Sequence, residues 1–203
     1  MIEIFDCEQN SDAWYAARLG LPTASEFKSI LAKGEGKMRR SYMLKLIGEV
    51  LTGEREDSYS NDHMERGHAH EPDARNLYMF QRDVEIQRVG FIKNGPKGCS
   101  PDGLVGKNGM METKSKMSHL HLDVLLRNRL PPEHTAQCQG ALWVAEREWI
   151  DFCSYRPKLP LVVIRVFRDE IYIKNLASEV DAFLAEMNEL MARVSEYRIS
   201  EAA

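Results

Sequence analysis

Asp102, Glu112 and Lys114 are the residues of this 203-residue chain whose types and spacing could carry out chemistry. They stand in Ser100-Pro101-Asp102-Gly103 and, ten positions from Asp102, in Glu112-Thr113-Lys114. Alternate side chains of a strand share a face. Glu112 and Lys114 therefore point one way, and Thr113 points into the packing. Between the two segments lies Gly106-Lys107-Asn108-Gly109, whose Asn-Gly is a hairpin signal. The hairpin folds Asp102 back beside the strand, so two carboxylates and one ammonium meet. Hard oxygen donors of this kind suit Mg²⁺ or Mn²⁺, which take a few carboxylates and keep several waters. The lysine can orient or help deprotonate an attacking water, and the ions can stabilise charge on the attacked and departing oxygens. Together these parts describe phosphodiester hydrolysis. Taken alone, the same short string also describes a surface hairpin with a Glu–Lys pair.

The elements that must position this group read as a helical front, a sheet core and a C-terminal helix. The front covers about 1–82, the core about 84–173 and the last helix about 175–198, all in one domain. Trp14, Ala17 and Arg18 sit on a short helix. Thr23 and Ser25 offer hydroxyl caps to a helix over Glu26 to Ala32. Lys33 to Lys37 is a two-glycine loop. Tyr42, Leu44, Leu46, Ile47, Val50 and Leu51 form a helical stripe that ends at Thr52-Gly53. His63 to Arg82 is helical, with a break or kink expected at Pro72. Val84 to Lys93, Cys99 to Val105, Met110 to Lys114 and Trp149 to Tyr155 read as strands. Leu161 to Phe167 and Ile171 to Ile173 read as a hairpin across Arg168-Asp169-Glu170. Pro131-Pro132 opens a helix to about Glu146. From Leu176 to Val194 apolar residues recur at three and four. Helices around a central mixed sheet make an α/β or α+β fold.

Composition narrows the class. The chain is 43% hydrophobic and 29% charged, a globular balance rather than a disordered or fibrous one. Its apolar runs are strand-sized, far short of the roughly 20 residues of a membrane span, and the start resembles no signal peptide. Cys7, Cys99, Cys138 and Cys153 lack metal-type pairing and read as buried thiols of a reducing cytoplasm. A net charge of −4 argues against indiscriminate nucleic-acid binding, but it leaves room for a local basic patch.

Further segments carry a resemblance. Trp14-Tyr15-Ala16-Ala17-Arg18-Leu19-Gly20, Thr23-Ala24-Ser25-Glu26, Gly67-His68-Ala69-His70-Glu71 with Ala74-Arg75, the Ser100-to-Lys114 stretch, and Ala136-Gln137-Cys138-Gln139 with Trp143 follow one another in order. With that order and spacing, the chain resembles the PD-(D/E)XK nucleases. It is more closely similar to their lambda exonuclease and YqaJ-type viral recombinase branch, from about Trp14 to the C-terminal helix. The resemblance implies that Asp102, Glu112 and the Thr113 carbonyl hold the metal, Mg²⁺ or Mn²⁺, with two ions per site. It makes Lys114 the residue that activates water, and Glu71 an accessory acid holding metal-bound water. Gln137 would lie near the nucleophile or scissile phosphate. Arg18, Ser25 and Ser100 would form a pocket for a 5′-terminal phosphate, where a guanidinium forks onto oxygens and hydroxyls donate. By residue type alone these four read differently: Arg18 as a surface cation, Ser25 as a cap, Ser100 as a turn former and Gln137 as a partner for buried backbone.

The implied activity is 5′→3′ digestion of one strand of duplex DNA, leaving 3′ overhangs for phage-type recombination. The implied partners are double-stranded DNA ends, two further copies in a homotrimeric ring, and a single-strand annealing protein. The implied setting is the cytoplasm of a bacterial host, with the protein encoded by a phage or prophage. Lys33, Lys37, Arg39, Arg40 and Lys45 form the densest basic run and are the candidates for DNA-backbone contact. They also read as a solvated helix face. Met64 is a candidate wedge at the duplex end, or else a core methionine. His68 and His70 lie two apart on a helix and face different ways, so they do not share a metal. His119 and His121 share a face if extended, and they read as packing residues or a soft-metal site. The cysteines lack the spacing of an iron–sulfur nuclease. Two other classes stay open: an endonuclease of the same superfamily, and a catalytically inactive DNA-binding module.

Overall fold

The computed structural model describes residues 1–32, 37–56 and 62–200. In chain order the strands are β1 (Ile2–Phe5), β2 (Ile86–Gln87), β3 (Phe91–Asn94), β4 (Lys97–Cys99), β5 (Gly103–Val105), β6 (Gly109–Ser115), β7 (Trp149–Tyr155) and β8 (Val162–Phe167). The helices are α1 (Asp12–Arg18), α2 (Phe27–Ile30), α3 (Lys37–Thr52), α4 (Asp62–Arg82), α5 (Ser118–Arg127), α6 (Thr135–Ala145) and α7 (Glu170–Ser200). Strands β1, β3 and β4 make a small antiparallel sheet. The main sheet has the order β2-β5-β6-β7-β8 and is mixed: β6 and β7 run parallel, and its other pairs are antiparallel.

Strand β6 is central, so both its faces must be covered. Met110 joins Ile150 and Phe152 in a core built with α2, α3, α6 and α7. Met111 joins Cys153 and Tyr155 in a second core closed by Ala74 and Tyr78 of α4. The period of two along the strand thus sends Glu112 and Lys114 toward α6, and Thr113 and Ser115 toward α4. Helix α6 comes in close at Gly140, where a Cβ would lie 2.3 Å from Phe27 Cδ2.

Several expected elements differ. Val84 to Lys93 is not one strand but two, in different sheets. The chain changes sheet at Gly90, whose N–H donates to Phe5 O and where a Cβ would lie 2.3 Å from Cys7 O. Ile171 to Ile173 is the start of α7 rather than a hairpin strand. Asp169 Oδ1 accepts from the N–H groups of Ile171 and Tyr172, a side-chain cap that opens the helix. Helix α4 runs unbroken through Pro72, held by the buried Ala74 and Tyr78 that follow it. Thr23 makes no capping hydrogen bond, and a 3₁₀ turn over Ala24–Glu26 precedes α2. His119 and His121 lie on α5, not on an extended segment. His119 is exposed, whereas His121 is buried between Ser154 Oγ and Pro160 O, at 2.9 and 3.0 Å. Both its nitrogens are used there, which leaves none for a metal.

Candidate active site

The hairpin of β5 and β6 pairs Gly103 with Met111, and Asp102 continues it at the open end, where its N–H donates to Met111 O. From there Asp102 Oδ2 accepts the Thr113 N–H at 2.6 Å. Glu112, only 4% exposed, takes two donors on one oxygen: Lys114 Nζ at 2.7 Å and Gln137 Nε2 at 2.6 Å. Gln137 comes from the first turn of α6, 25 residues away. On the other side of the sheet α4 brings Glu71, which is paired with Arg75 one turn later.

The electrostatics are lopsided. Burial, then the negative charges of Glu112 and Glu71, hold the Asp102 carboxyl well above the usual carboxylate range, against the opposing effects of Lys114 and the Thr113 N–H. For Lys114, burial alone would lower the pKa, but the charges of Glu112 and Asp102 outweigh it and raise it. Three carboxylates thus crowd one end of the sheet with one ammonium among them. That donor set fits a hard divalent cation, which would relieve the crowding. Among the described residues no three acidic, histidine or cysteine side chains form a cage by themselves. A cation here would complete its shell from the main chain, water or substrate, as Mg²⁺ ordinarily does. A cleft of about 730 Å³ opens beside the group, with Asn10, Glu71, Arg75, Arg88 and Asp102 in its walls.

The candidate phosphate residues converge in part. Arg18, Thr23 and Ser25 line a pocket of about 350 Å³. Arg18 Nη2 donates to Thr23 Oγ1 at 3.4 Å, and the Thr23 and Ser25 hydroxyls lie 3.2 Å apart. The guanidinium stacks 4.0 Å above the Trp14 ring. Trp14 Nε1 in turn donates to Ser100 Oγ at 2.9 Å and to Gly90 O at 3.0 Å. Ser100 therefore reaches Arg18 only through the indole. Among the described residues no carboxylate pairs with Arg18. Asn10 belongs to both the pocket and the cleft, so the two cavities adjoin.

The basic run does not make one free face. Arg39 pairs with Glu186 at 2.5 Å and lies over Phe183, fastening α3 to α7. Lys45 lies 4.0 Å from Glu49 and lines the same pocket as Arg18. Lys37 and Arg40 are exposed. Lys33 and the side chains of Met64 and His68 lie outside the described residues.

Some partners have no signature in the sequence. Tyr78 donates to the fully buried Asp151 at 2.8 Å, and Arg165 forks onto the same carboxylate at 2.9 and 2.8 Å. His70 Nδ1 lies 2.8 Å from Ser115 Oγ. The bonds of Tyr78 and His70 fasten α4 to the sheet on either side of Glu71. Thr23 joins the pocket, and His134 lies 3.0 Å from Lys116 Nζ. The only hint of the last is position: His134 stands three residues before Gln137, at the N-cap of α6.

Burial, then the charges of Lys116 and Lys114, push His134 down to about 4, from 6.5. As the pH falls, the unfolded chain takes up this proton below about 6.5 and the folded chain only near 4. Stability is therefore lost on acidification, by roughly 2–3 kcal/mol over that window. Thermal denaturation of His134→Gln, which keeps an acceptor for Lys116, is expected to show a flatter decline from pH 7 to pH 4.5 than the native chain. An unchanged decline would assign the loss elsewhere.

Comparison with known proteins shows the family and the fold. The model of the YqaJ-like viral recombinase domain matches residues 13–148. The alkaline exonuclease LHK-Exo from Laribacter hongkongensis is 33% identical, with a TM-score of 0.86 over 95% of this chain and 100% of that one. Its structure in complex with dAMP gives 34% and 0.87 over the same shares. A phage related exonuclease from Haemophilus somnus 129PT has the same fold at 14% identity, with a TM-score of 0.65 over 86% of this chain and 96% of that one. No curated protein sequence matches the chain.

Proposed function

This chain belongs to the YqaJ-like viral recombinase family, and on that premise we propose that it is a divalent-metal-dependent exonuclease digesting duplex DNA from 5′-phosphorylated ends. Its fold is the PD-(D/E)XK nuclease core, a mixed sheet flanked by helices. The observation that carries the reading is the meeting of Asp102, Glu112 and Lys114 at the open end of one hairpin, with a cationic pocket adjoining their cleft.

In this reading Asp102, Glu112 and the Thr113 carbonyl would hold Mg²⁺, two ions per site, and Glu71 would support bound water. The ions supply charge stabilisation on the attacked and departing oxygens. Lys114, kept as an ammonium by its carboxylate neighbours, orients the attacking water. Gln137 holds the Glu112 carboxylate in its rotamer. Arg18, with Thr23 and Ser25, seats the terminal phosphate and so sets where the strand enters the cleft. Digestion runs 5′→3′ and leaves 3′ overhangs for a single-strand annealing protein. The working form is a homotrimeric ring around DNA in a bacterial cytoplasm, encoded by a phage or prophage.

Three substrates with Mg²⁺ test this: linear duplex with 5′-phosphate, linear duplex with 5′-hydroxyl, and covalently closed circles. The expected order is fast, slower and none. A cut circle would make the protein an endonuclease, and no cleavage of any would leave a binding role. Arg18→Ala is expected to shrink the preference for phosphorylated ends by about 10-fold or more, as a lost charge-assisted hydrogen bond would. Equal use of both ends by the native chain would remove the pocket assignment.

A further inference from the structure

Strand β6 does not end its row of functional side chains at Lys114. The Lys116 N–H donates to Tyr155 O at 3.1 Å, so the ladder with β7 continues for one more residue. Glu112, Lys114 and Lys116 therefore share a face at two-residue steps, about 6.7 Å apart along the strand. Helix α6 and the 3₁₀ turn before it match this row: Gln137 of the helix bonds Glu112, and His134 at the end of the turn bonds Lys116.

Lys116 is an unusual lysine. Its side chain is 11% exposed, and its ion-pair partner among the described residues, Glu133 at 3.5 Å, has a side chain 60% exposed. A lysine is rarely buried so far without a matched anion. The imidazole that steadies it offers a lone pair and no negative charge. That ring is itself held over Phe152, with centroids 4.9 Å apart. On its outer side Lys116 borders a depression of about 150 Å³ lined by Arg129, Pro131, Pro132, Glu133 and the Arg127–Asp123 ion pair, closed at 2.7 Å. The surroundings are thus a fixed ammonium beside the catalytic row, the exposed Arg129 beyond it, and apolar walls of the kind a sugar and base can lie against.

We propose that Lys116, steadied by His134, binds the phosphodiester next to the scissile one on the cleaved strand. The step between Lys114 and Lys116 is comparable with the step between successive phosphates, so a strand with its scissile phosphate at Lys114 places its neighbour at Lys116. The inference rests on the nuclease reading above. Lys116 acts here as a positioning residue, fixing the register of the strand.

The test uses 5′-phosphorylated linear duplexes carrying one uncharged methylphosphonate linkage at successive positions from the end. They are digested with Mg²⁺ by the native chain, Lys116→Gln and Lys116→Arg. The native chain is expected to slow about 10-fold at one linkage beside the scissile one. Lys116→Gln is slower on unmodified DNA and loses that extra sensitivity, and Lys116→Arg retains it. In parallel, duplex binding without divalent metal should show a salt dependence shallower by about 0.9 in log–log slope for Lys116→Gln, one phosphate contact fewer. Partial unfolding lowers the active fraction on every duplex alike, so it produces neither the loss of linkage sensitivity nor the shallower slope. The same linkage sensitivity in Lys116→Gln, or an unchanged slope, would overturn the subsite. Native digestion indifferent to every neutral linkage would overturn the subsite alone, whereas no native digestion of unmodified duplex removes the nuclease reading with it.

Discussion

Lys114→Ala is expected to lower Mg²⁺-dependent digestion of linear duplex by roughly 10²–10³-fold, the usual cost of removing one preorganised charged group from a reacting centre. Among the described residues Lys114 is the ammonium that touches the cluster of Asp102, Glu112 and Glu71, through Glu112 Oε1 at 2.7 Å. The cations nearby are otherwise engaged, Arg75 by Glu71 and Lys116 by His134 and Glu133. The substitution also leaves Glu112, 4% exposed, with Gln137 alone. Losing a partner of a buried pair costs about 3–5 kcal/mol. Partial exposure of the Lys114 side chain, at 31%, and the surviving Gln137 bond reduce that figure here. Single-turnover digestion, corrected for the folded fraction from thermal denaturation, separates the two effects. Native rates per folded molecule would remove Lys114 from the chemistry.

Asp102→Asn is expected to abolish cleavage to a similar degree and yet to stabilise the metal-free protein. The carboxyl is destabilised by burial and by Glu112 and Glu71. An acid whose folded pKa lies above its unfolded value weakens the fold at pH above both values, and this penalty disappears as the pH falls below the unfolded value, here 3.8. Asparagine removes the charge and keeps an oxygen for the Thr113 N–H. The variant should therefore melt higher than the native chain at pH 8, by about 2–4 °C for each kcal/mol relieved, and the gap should close toward pH 4. Mg²⁺ should raise the melting temperature of the native chain and not that of the variant. A variant that melts lower at pH 8, or that still responds to Mg²⁺, would mean that Asp102 is not a crowded metal ligand. Stability given up at a reacting centre is common among enzymes.

What could be read in the chain was largely local. The hairpin from Ser100 to Lys114 spans few residues and contains its own turn, so the meeting of Asp102 with Glu112 and Lys114 follows from alternation and Asn-Gly. The stripe over α3, the strand of β7 and the helical periodicity of α7 are legible for the same reason. Errors gathered where two periods fit equally well. Ile171 and Ile173 suit a strand as well as a helix, and the Asp169 cap decides it. His119 and His121 suit an extended segment until α5 buries one and exposes the other. Val84 to Lys93 has the apolar content of one strand, but only the crowding of Gly90 against Cys7 divides it between two sheets.

Residue types and order by themselves determined the chemistry available, hard oxygen donors beside one ammonium, and the family to which the order belongs. The tertiary structure decided which partners each group has. It brought Gln137 to Glu112 across 25 positions, gave Arg39 to Glu186, joined Thr23 to Arg18, and set His134 under Lys116. These contacts depend on how α3, α4, α6 and α7 pack against the sheets. That packing comes from buried surfaces summed over the whole chain, and no short stretch of sequence contains the sum.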